Sequence, residues 1–345
     1  MTQVLVTGGA GFIGSHFIRL WLASHPDDRV VNLDLLTYAG SRERLADLEG
    51  SSRYRFVQGT IGDPAVVRQA MQGCEAVVHF AAETHVDRSI TDAAPFLRTN
   101  IEGTDILLDA ARAGGVARFL HVSTDEVYGP VLEGEVDERA PLSPRSPYAV
   151  SKAAGDLLAQ SYWATYSLPV VVARPTNIYG PAQFVEKFIP LAIINSLEGL
   201  PVPIYGDGQQ RRAWLYVQDA CEAVRTILER GQLGEVYNIA GGTEQPNLET
   251  ARAIAKLLGR PPESLQHVTD RPGHDRRYAM HDAKLRALGW RPATPFDQGL
   301  AQTVAWYRGQ QDWWRPLAKR LREDPYHWLN RSARPGAGRP SRSAR

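Results

Sequence analysis

The strongest constraint on this chain lies at its start. Val4-Leu5-Val6 is a short apolar, β-branched run, Thr7-Gly8-Gly9-Ala10-Gly11-Phe12-Ile13-Gly14 follows directly, and a helical pattern runs from Gly11 to about Ser24. Gly9, Gly11 and Gly14 therefore match G-x-G-x-x-G between a strand and a helix. Glycine suits these places because the turn is tight, the backbone must approach a pyrophosphate, and the helix must pack close to the sheet. The helix N-terminus adds free N–H groups and a partial positive charge. Asp34 ends the next strand-like run, 20 residues after Gly14. A carboxylate there accepts hydrogen bonds from a ribose diol and repels a 2′-phosphate, so NAD is expected over NADP. A flavin dinucleotide remains the alternative at this point.

The rest of the first half alternates strand-like runs (Val30–Leu33, Arg55–Val57, Ala76–Phe80, Phe119–Val122, Val170–Ala173) with helical patterns, among them Asn100–Ala113 and Tyr148–Tyr166. That alternation predicts an α/β fold, a Rossmann-like doubly wound parallel sheet with helices on both faces. After about Pro175 prolines cluster and the alternation becomes irregular, which predicts a smaller, mixed α/β substrate-binding lobe. The expected division is an NAD-binding domain over 1–175, with parts of about 211–242 returning to it, and a substrate lobe over 176–315. In the second half, helices are expected at Gln218–Glu229, Leu248–Leu258 and Phe296–Arg308, and a strand at Glu235–Ile239.

Composition excludes several classes. Two cysteines, Cys74 and Cys221, support neither a disulfide framework nor a cysteine zinc site, and no metal is expected. No apolar run is long enough to span a membrane, and the first residues do not read as a secretory signal, so a cytoplasmic setting is expected. A net charge of +1 gives no reason to expect nucleic acid. The charge is unevenly placed: the last 15 residues hold five arginines and no acid, among Gly, Pro and Ser, and residues 331–345 are expected to be a disordered basic tail.

Two further motifs carry chemistry. Tyr148 and Lys152 stand i, i+4, on one face of a helix. A nearby ammonium favours the phenolate, so the tyrosine can serve as a base well below its ordinary pKa near 10. Ser123-Thr124-Asp125-Glu126-Val127-Tyr128-Gly129 follows the fifth strand, at the carboxyl end where open α/β sheets place ligands. Hydride transfer alone needs no acid pair. A carboxylic acid beside a carboxylate can eliminate water, one protonating a leaving hydroxyl while the other takes a proton from carbon. The competing reading is a helix-capping pair.

Taken together, Thr7–Gly14, Ala81-Ala82-Glu83-Thr84-His85-Val86-Asp87-Arg88-Ser89-Ile90, Ser123–Gly129 and Tyr148/Lys152 resemble the extended short-chain dehydrogenase/reductase superfamily, and within it the dTDP-glucose 4,6-dehydratases. The resemblance continues through Asn177–Pro181, Phe184–Pro190, Pro203–Gly206, Asp270–Asp275 and Gln311–Trp314, and covers roughly residues 2–315. It implies oxidation of a nucleotide-linked hexose at C4, loss of water across C5/C6, and hydride return to C6, with NAD regenerated in each turnover. Tyr148 and Lys152 would serve the oxidation, Glu126 would take the C5 proton, Asp125 would protonate the 6-hydroxyl, and Thr124 would bond the 4-oxygen. Gly8, Gly11, Phe12, Ile13, Gly14, Asp34, Thr37, Ile61, Phe80, Ala81, Ala82 and Thr99 would hold NAD. Thr84, Asn177, Glu186, Lys187, Pro203, Tyr205, Arg212, Asn247, Arg271 and His274 would hold the sugar diphosphate. A homodimer through the two long helices is implied as well.

Several positions depart from the family's usual pattern. Thr60 stands where Asp is common, and Thr84 where Ser is. Pro175-Thr176-Asn177-Ile178 replaces Cys-Ser-Asn-Asn, Ala213 replaces the Asp of Arg-Asp-Trp, and Ala182 and Val185 replace larger or stiffer residues. All but the first two lie on the expected substrate side. A UDP-glucose dehydratase, a nucleotide-sugar 4-epimerase or decarboxylase, and a non-catalytic NAD-binding protein are the alternatives. The last three have no need of the Asp125–Glu126 pair.

Overall fold

The computed structural model describes residues 2–323. The expected basic tail at 331–345 lies outside the described residues. Among these residues are twelve strands: β1 (Gln3–Thr7), β2 (Arg29–Asp34), β3 (Tyr54–Gln58), β4 (Ala76–His79), β5 (Arg118–Val122), β6 (Val170–Pro175), β7 (Asn177–Tyr179), β8 (Val202–Tyr205), β9 (Arg211–Tyr216), β10 (Val236–Ile239), β11 (Thr243–Pro246) and β12 (Leu265–Val268).

Seven of them form one sheet in the order β10-β6-β5-β4-β1-β2-β3, and every pairing in it is parallel. This is the doubly wound parallel sheet that the alternation predicts. The order reverses beside β1, which opens a crevice at the carboxyl ends of β1 and β4. Side chains alternate along each strand to feed two separate cores. Val4, Val6, Leu120, Val122, Val171 and Ala173 face the helices Phe12–Ser24 and Val217–Arg230. Leu5, Phe119, Val170 and Val172 face Pro64–Met71, Gly103–Ala113 and Pro147–Tyr166. Burial on both faces explains why these strands read as unbroken apolar runs.

The remaining strands make two small sheets, β11-β9-β7 and β12-β8. A third core lies among them, built on Tyr179, Ile193, Trp214, Ile254, Tyr307 and Trp314. The helix Gln311–Glu323 completes it and is not foreseen in the sequence reading. Pro316 interrupts its pattern, yet Trp314 is only 1% exposed and anchors it.

One element differs from its expected form. The helix expected from Asn100 begins earlier, and residues Arg98–Glu102 form a π-type turn before Gly103–Ala113. Such turns are often retained at functional sites. Here the Asn100 side chain bridges the backbone N–H and C=O of Glu83 (2.9 and 3.0 Å) and the Ser151 hydroxyl (2.9 Å). It thereby ties the loop after β4 to the helix that carries Tyr148.

Candidate active site

A cleft of about 340 Å³ runs along the carboxyl ends of the parallel strands. Its floor begins with the glycine turn. Gly8 adopts φ +71, and a Cβ there would stand 2.7 Å from the Ala81 nitrogen. A Cβ on Gly14 would meet the Gly8 carbonyl oxygen at 2.4 Å. The turn and the helix therefore fit together only through glycine. No side chain caps the helix Phe12–Ser24, so its first N–H groups are left for a ligand in the cleft. Asp34 closes the turn by accepting hydrogen bonds from Ala10 (2.9 Å) and Leu36 (2.8 Å). Burial raises its pKa, and the two backbone N–H groups and Arg44 oppose that rise. An uncapped helix start, a glycine cradle and a carboxylate at the end of β2 together fit a dinucleotide.

The opposite wall carries the titratable groups. Thr124 caps the short 3-10 helix Asp125–Tyr128, its hydroxyl accepting from the Glu126 N–H (3.3 Å). The capping function is thus carried by Thr124, which leaves both acid side chains available to the cleft. Asp125 is 3% exposed and accepts from the Thr124 (3.2 Å) and Thr176 (3.2 Å) hydroxyls. Burial, with Glu126 beside it, raises its pKa to about 7. Burial also raises Glu126, while Arg271, Arg212 and Lys187 pull it back. The two acids therefore differ in their surroundings: Asp125 has Glu126's charge, one cation (Arg212) and two hydroxyls, whereas Glu126 has three cations set against Asp275.

Ser146 and Pro147 start the helix that brings Tyr148 and Lys152 into the cleft, the Ser146 hydroxyl accepting from Ala149. The expected lowering of the phenol's pKa by Lys152 is not what this arrangement gives. The lysine Nζ donates to the Val122 carbonyl (2.7 Å), and its own pKa falls to about 8 through burial. Tyr148 is held well above the ordinary phenol value by burial and by the nearby carboxylate of Glu126.

All the expected cofactor residues line this cleft: Gly8, Gly11, Phe12, Ile13, Gly14, Asp34, Thr37, Ile61, Phe80, Ala81, Ala82, Thr99, Tyr148 and Lys152. Thr124, Asp125, Glu126, Thr84, Asn177, Glu186 and Lys187 line it too. Pro203, Tyr205, Arg212, Asn247, Arg271 and His274 are not among its lining residues. Most of these six belong to an adjoining cluster. Asp87 accepts from Tyr205 (3.0 Å) and pairs with Arg271 (3.3 Å), and Arg212 stacks over the Tyr278 ring at 4.4 Å. His274 donates to Asp270 (2.6 Å), and burial and the two arginines lower its pKa to about 3, so it is neutral. Pro203 lies in β8, paired with Gln266, and Asn247 opens a helix.

The structure adds residues that the sequence reading does not single out. The Tyr278 hydroxyl lies 3.0 Å from Asp275 and 3.5 Å from Glu126 and can donate its one proton to either. Tyr38 donates to Glu186 (2.9 Å), and Thr176 reaches Asp125. Thr176 adjoins the expected Asn177, so its place in the chain was a usable signal. Tyr278 has no such local signal, because it stands 152 residues from the acid it touches.

Comparison with known proteins places this geometry. Residues 5–303 match the family model described as GDP-mannose 4,6 dehydratase. A dTDP-glucose 4,6-dehydratase of Streptomyces niveus is 51% identical, over 91% of this chain and 95% of its own. One from Xanthomonas campestris pv. campestris is 50% identical, again over 91% and 95%. The crystal structure of the dTDP-glucose 4,6-dehydratase DesIV of Streptomyces venezuelae, with NAD bound, superposes with a TM-score of 0.90. It is 48% identical and covers 92% of this chain and all of that one.

Proposed function

Since the chain belongs to the GDP-mannose 4,6-dehydratase family of extended short-chain dehydrogenases, we propose that it is an NAD-dependent hydro-lyase that converts dTDP-glucose to dTDP-4-keto-6-deoxy-glucose. One observation carries the reading: a single cleft joins the uncapped glycine turn to Tyr148 and to the buried pair Asp125–Glu126. An epimerase of the same fold needs the turn and the tyrosine but not two acids.

When bound in the cleft lined by the glycine turn, Asp34, Tyr148 and Lys152, NAD⁺ would supply the acceptor for the C4 hydride and the donor for C6. Tyr148 takes the proton of the 4-hydroxyl as C4 is oxidised. The 4-ketone acidifies the C5 hydrogen, and Glu126 removes it. Asp125, whose pKa burial raises to about 7 so that it keeps a proton far above the ordinary carboxyl range, gives that proton to the 6-hydroxyl, and water leaves. Glu126 then returns its proton to C5. Lys152, anchored on Val122, has further N–H groups for a cofactor ribose. Thr84, Asn177, Glu186 and Lys187 would hold the sugar, while Arg271 and Arg212 offer charge to the diphosphate.

We also propose a homodimer. Val150 and Leu157 on the helix Pro147–Tyr166, and Leu97 nearby, are large apolar residues at 42–55% exposure. A second copy packing helix against helix would cover them. No helix among the described residues is long and apolar enough to cross a membrane.

The test offers the purified protein dTDP-glucose and UDP-glucose in parallel and follows product by mass. Loss of one water from dTDP-glucose, with no added cofactor, is expected. If neither donor loses water even with NAD supplied, the assignment fails.

A further inference from the structure

The proposed chemistry leaves two groups out of balance. Glu126 takes a proton and returns it. Tyr148 ends each turnover with the proton of the 4-hydroxyl, whereas the Asp125 proton departs in the water. Continued turnover therefore requires that Asp125 regain a proton.

Behind the acid pair lies a second cavity, also of about 340 Å³, lined by Glu135, Ala213, Glu244, Tyr278, His281 and Asp282 among others. Thr176 lines both this chamber and the nucleotide cleft. Each catalytic acid is touched by a hydroxyl on the chamber wall: Asp125 by Thr176 at 3.2 Å and Glu126 by Tyr278 at 3.5 Å. Glu135 and Gly242 are exposed, so the rim reaches solvent. Deeper in, His281 Nδ1 and Asp282 Oδ2 are buried with no protein partner among the described residues. Buried polar atoms in a roomy polar cavity call for water.

Thr176 has one proton and faces two acceptors, Asp125 Oδ2 at 3.2 Å and the Ala213 carbonyl at 3.1 Å. A hydroxyl donates once and accepts through its lone pairs. With Asp125 protonated, the carboxyl donates to Thr176 and Thr176 donates to Ala213. With Asp125 ionised, Thr176 turns its proton to the carboxylate, and its oxygen can accept from chamber water. Each protonation state of Asp125 thus has its own satisfied arrangement.

We propose that Thr176 relays protons to Asp125 from the solvent-filled chamber, so that the acid is reset through this hydroxyl rather than through the substrate cleft. In that step a chamber water gives a proton to the Thr176 oxygen as the Thr176 O–H proton passes to Asp125, and the hydroxide left behind takes a proton from bulk solvent through the exposed rim. Tyr148 loses its surplus proton to water entering the cleft as product leaves. One proton enters and one departs, so the net charge is unchanged. The inference rests on the dehydratase reading above.

The experiment mixes NAD-loaded enzyme rapidly with dTDP-glucose and counts product per site. Thr176→Val keeps the shape and removes the hydroxyl. At pH 6, below the value of about 7 to which burial raises Asp125, most sites start protonated, and the variant's first turnover should run at the wild-type rate. Later turnovers should slow about 10-fold or more, part of the ~10²–10⁴ that a positioned acid contributes. Thr176→Ser should restore them, and imidazolium buffer, a small diffusible acid, should speed them in Thr176→Val alone. An unchanged steady-state rate overturns the inference. A first turnover slowed as much as the later ones overturns it too, since Thr176 would then only position the acid. A wild-type enzyme that forms no keto sugar overturns the dehydratase reading and this inference together, whereas the other failures overturn the inference alone.

Discussion

The two halves of the cleft are built by different means. The cofactor half is made largely of backbone. Gly8 and Gly14 leave no room for a Cβ, and an uncapped helix end presents N–H groups. The substrate half is made of side chains drawn from many elements: Asp125 and Glu126 after β5, Thr176 after β6, and Glu186 and Lys187 after β7, backed by an adjoining cluster with Arg212 from β9 and Arg271 and Tyr278 from loops beyond β12. Backbone offers nearly fixed dipoles, and binding there is set by shape. Side chains offer protons, whose energies depend on burial and on neighbouring charge. The halves should therefore fail differently when altered.

The largest expected effect is in the side-chain half. Glu126→Gln keeps the volume and removes the base. Product formation should fall by about 10²–10⁴-fold while NAD remains bound, as read by cofactor absorbance on the purified protein. If NAD is lost as well, the two halves are not separable and the comparison breaks.

Next comes Gly14→Ala. Its Cβ would press on the Gly8 carbonyl at 2.4 Å and on the Gly9 Cα at 2.7 Å, both backbone atoms with little freedom to move. Forcing extra volume into such packing costs about 1–3 kcal/mol, and the melting temperature should fall accordingly. NAD affinity should fall with it, in contrast to Glu126→Gln. Full cofactor retention and unchanged melting in this variant would show that the turn tolerates what its geometry says it cannot.

The same division explains what the sequence made legible. The cofactor half was readable because its parts are contiguous. A strand, a glycine turn and a helix lie within about 20 residues, and strands buried on both faces stand out as apolar runs. The acid pair and Tyr148–Lys152 were likewise local motifs. What escaped was long-range. Tyr278 meets Glu126 only through the fold, and Arg271 spends part of its charge on Asp87, 184 residues away. Tyr148 is the instructive case: its i, i+4 spacing to Lys152 was right, but the lysine turns to Val122, and burial sets the phenol's pKa. Spacing fixes which face a side chain shares, not which partner it takes.

The smallest effect tests the energetic side of the comparison. Asp125 titrates near 7 in the folded chain, against 3.8 as its ordinary value. Between those two pH values the folded state holds a proton that the unfolded state has released. The folded state therefore binds more protons, and stability falls as pH rises through that window. The loss is complete above about pH 7 and absent below about pH 4. Asp125→Asn cannot ionise and escapes it. Relative to wild type, this variant should melt at the same temperature near pH 4. At pH 8 it should melt higher, by about 2 °C or more, the response to ~1 kcal/mol in a chain of this size. Its dehydration should be lost at every pH, because the proton for the 6-hydroxyl is gone. An equal shift in melting at both pH values would mean that packing, not a buried carboxyl held near neutrality, distinguishes the variant. The acid role assigned to Asp125 would then lose its electrostatic basis, while the glycine-built half of the cleft would be untouched.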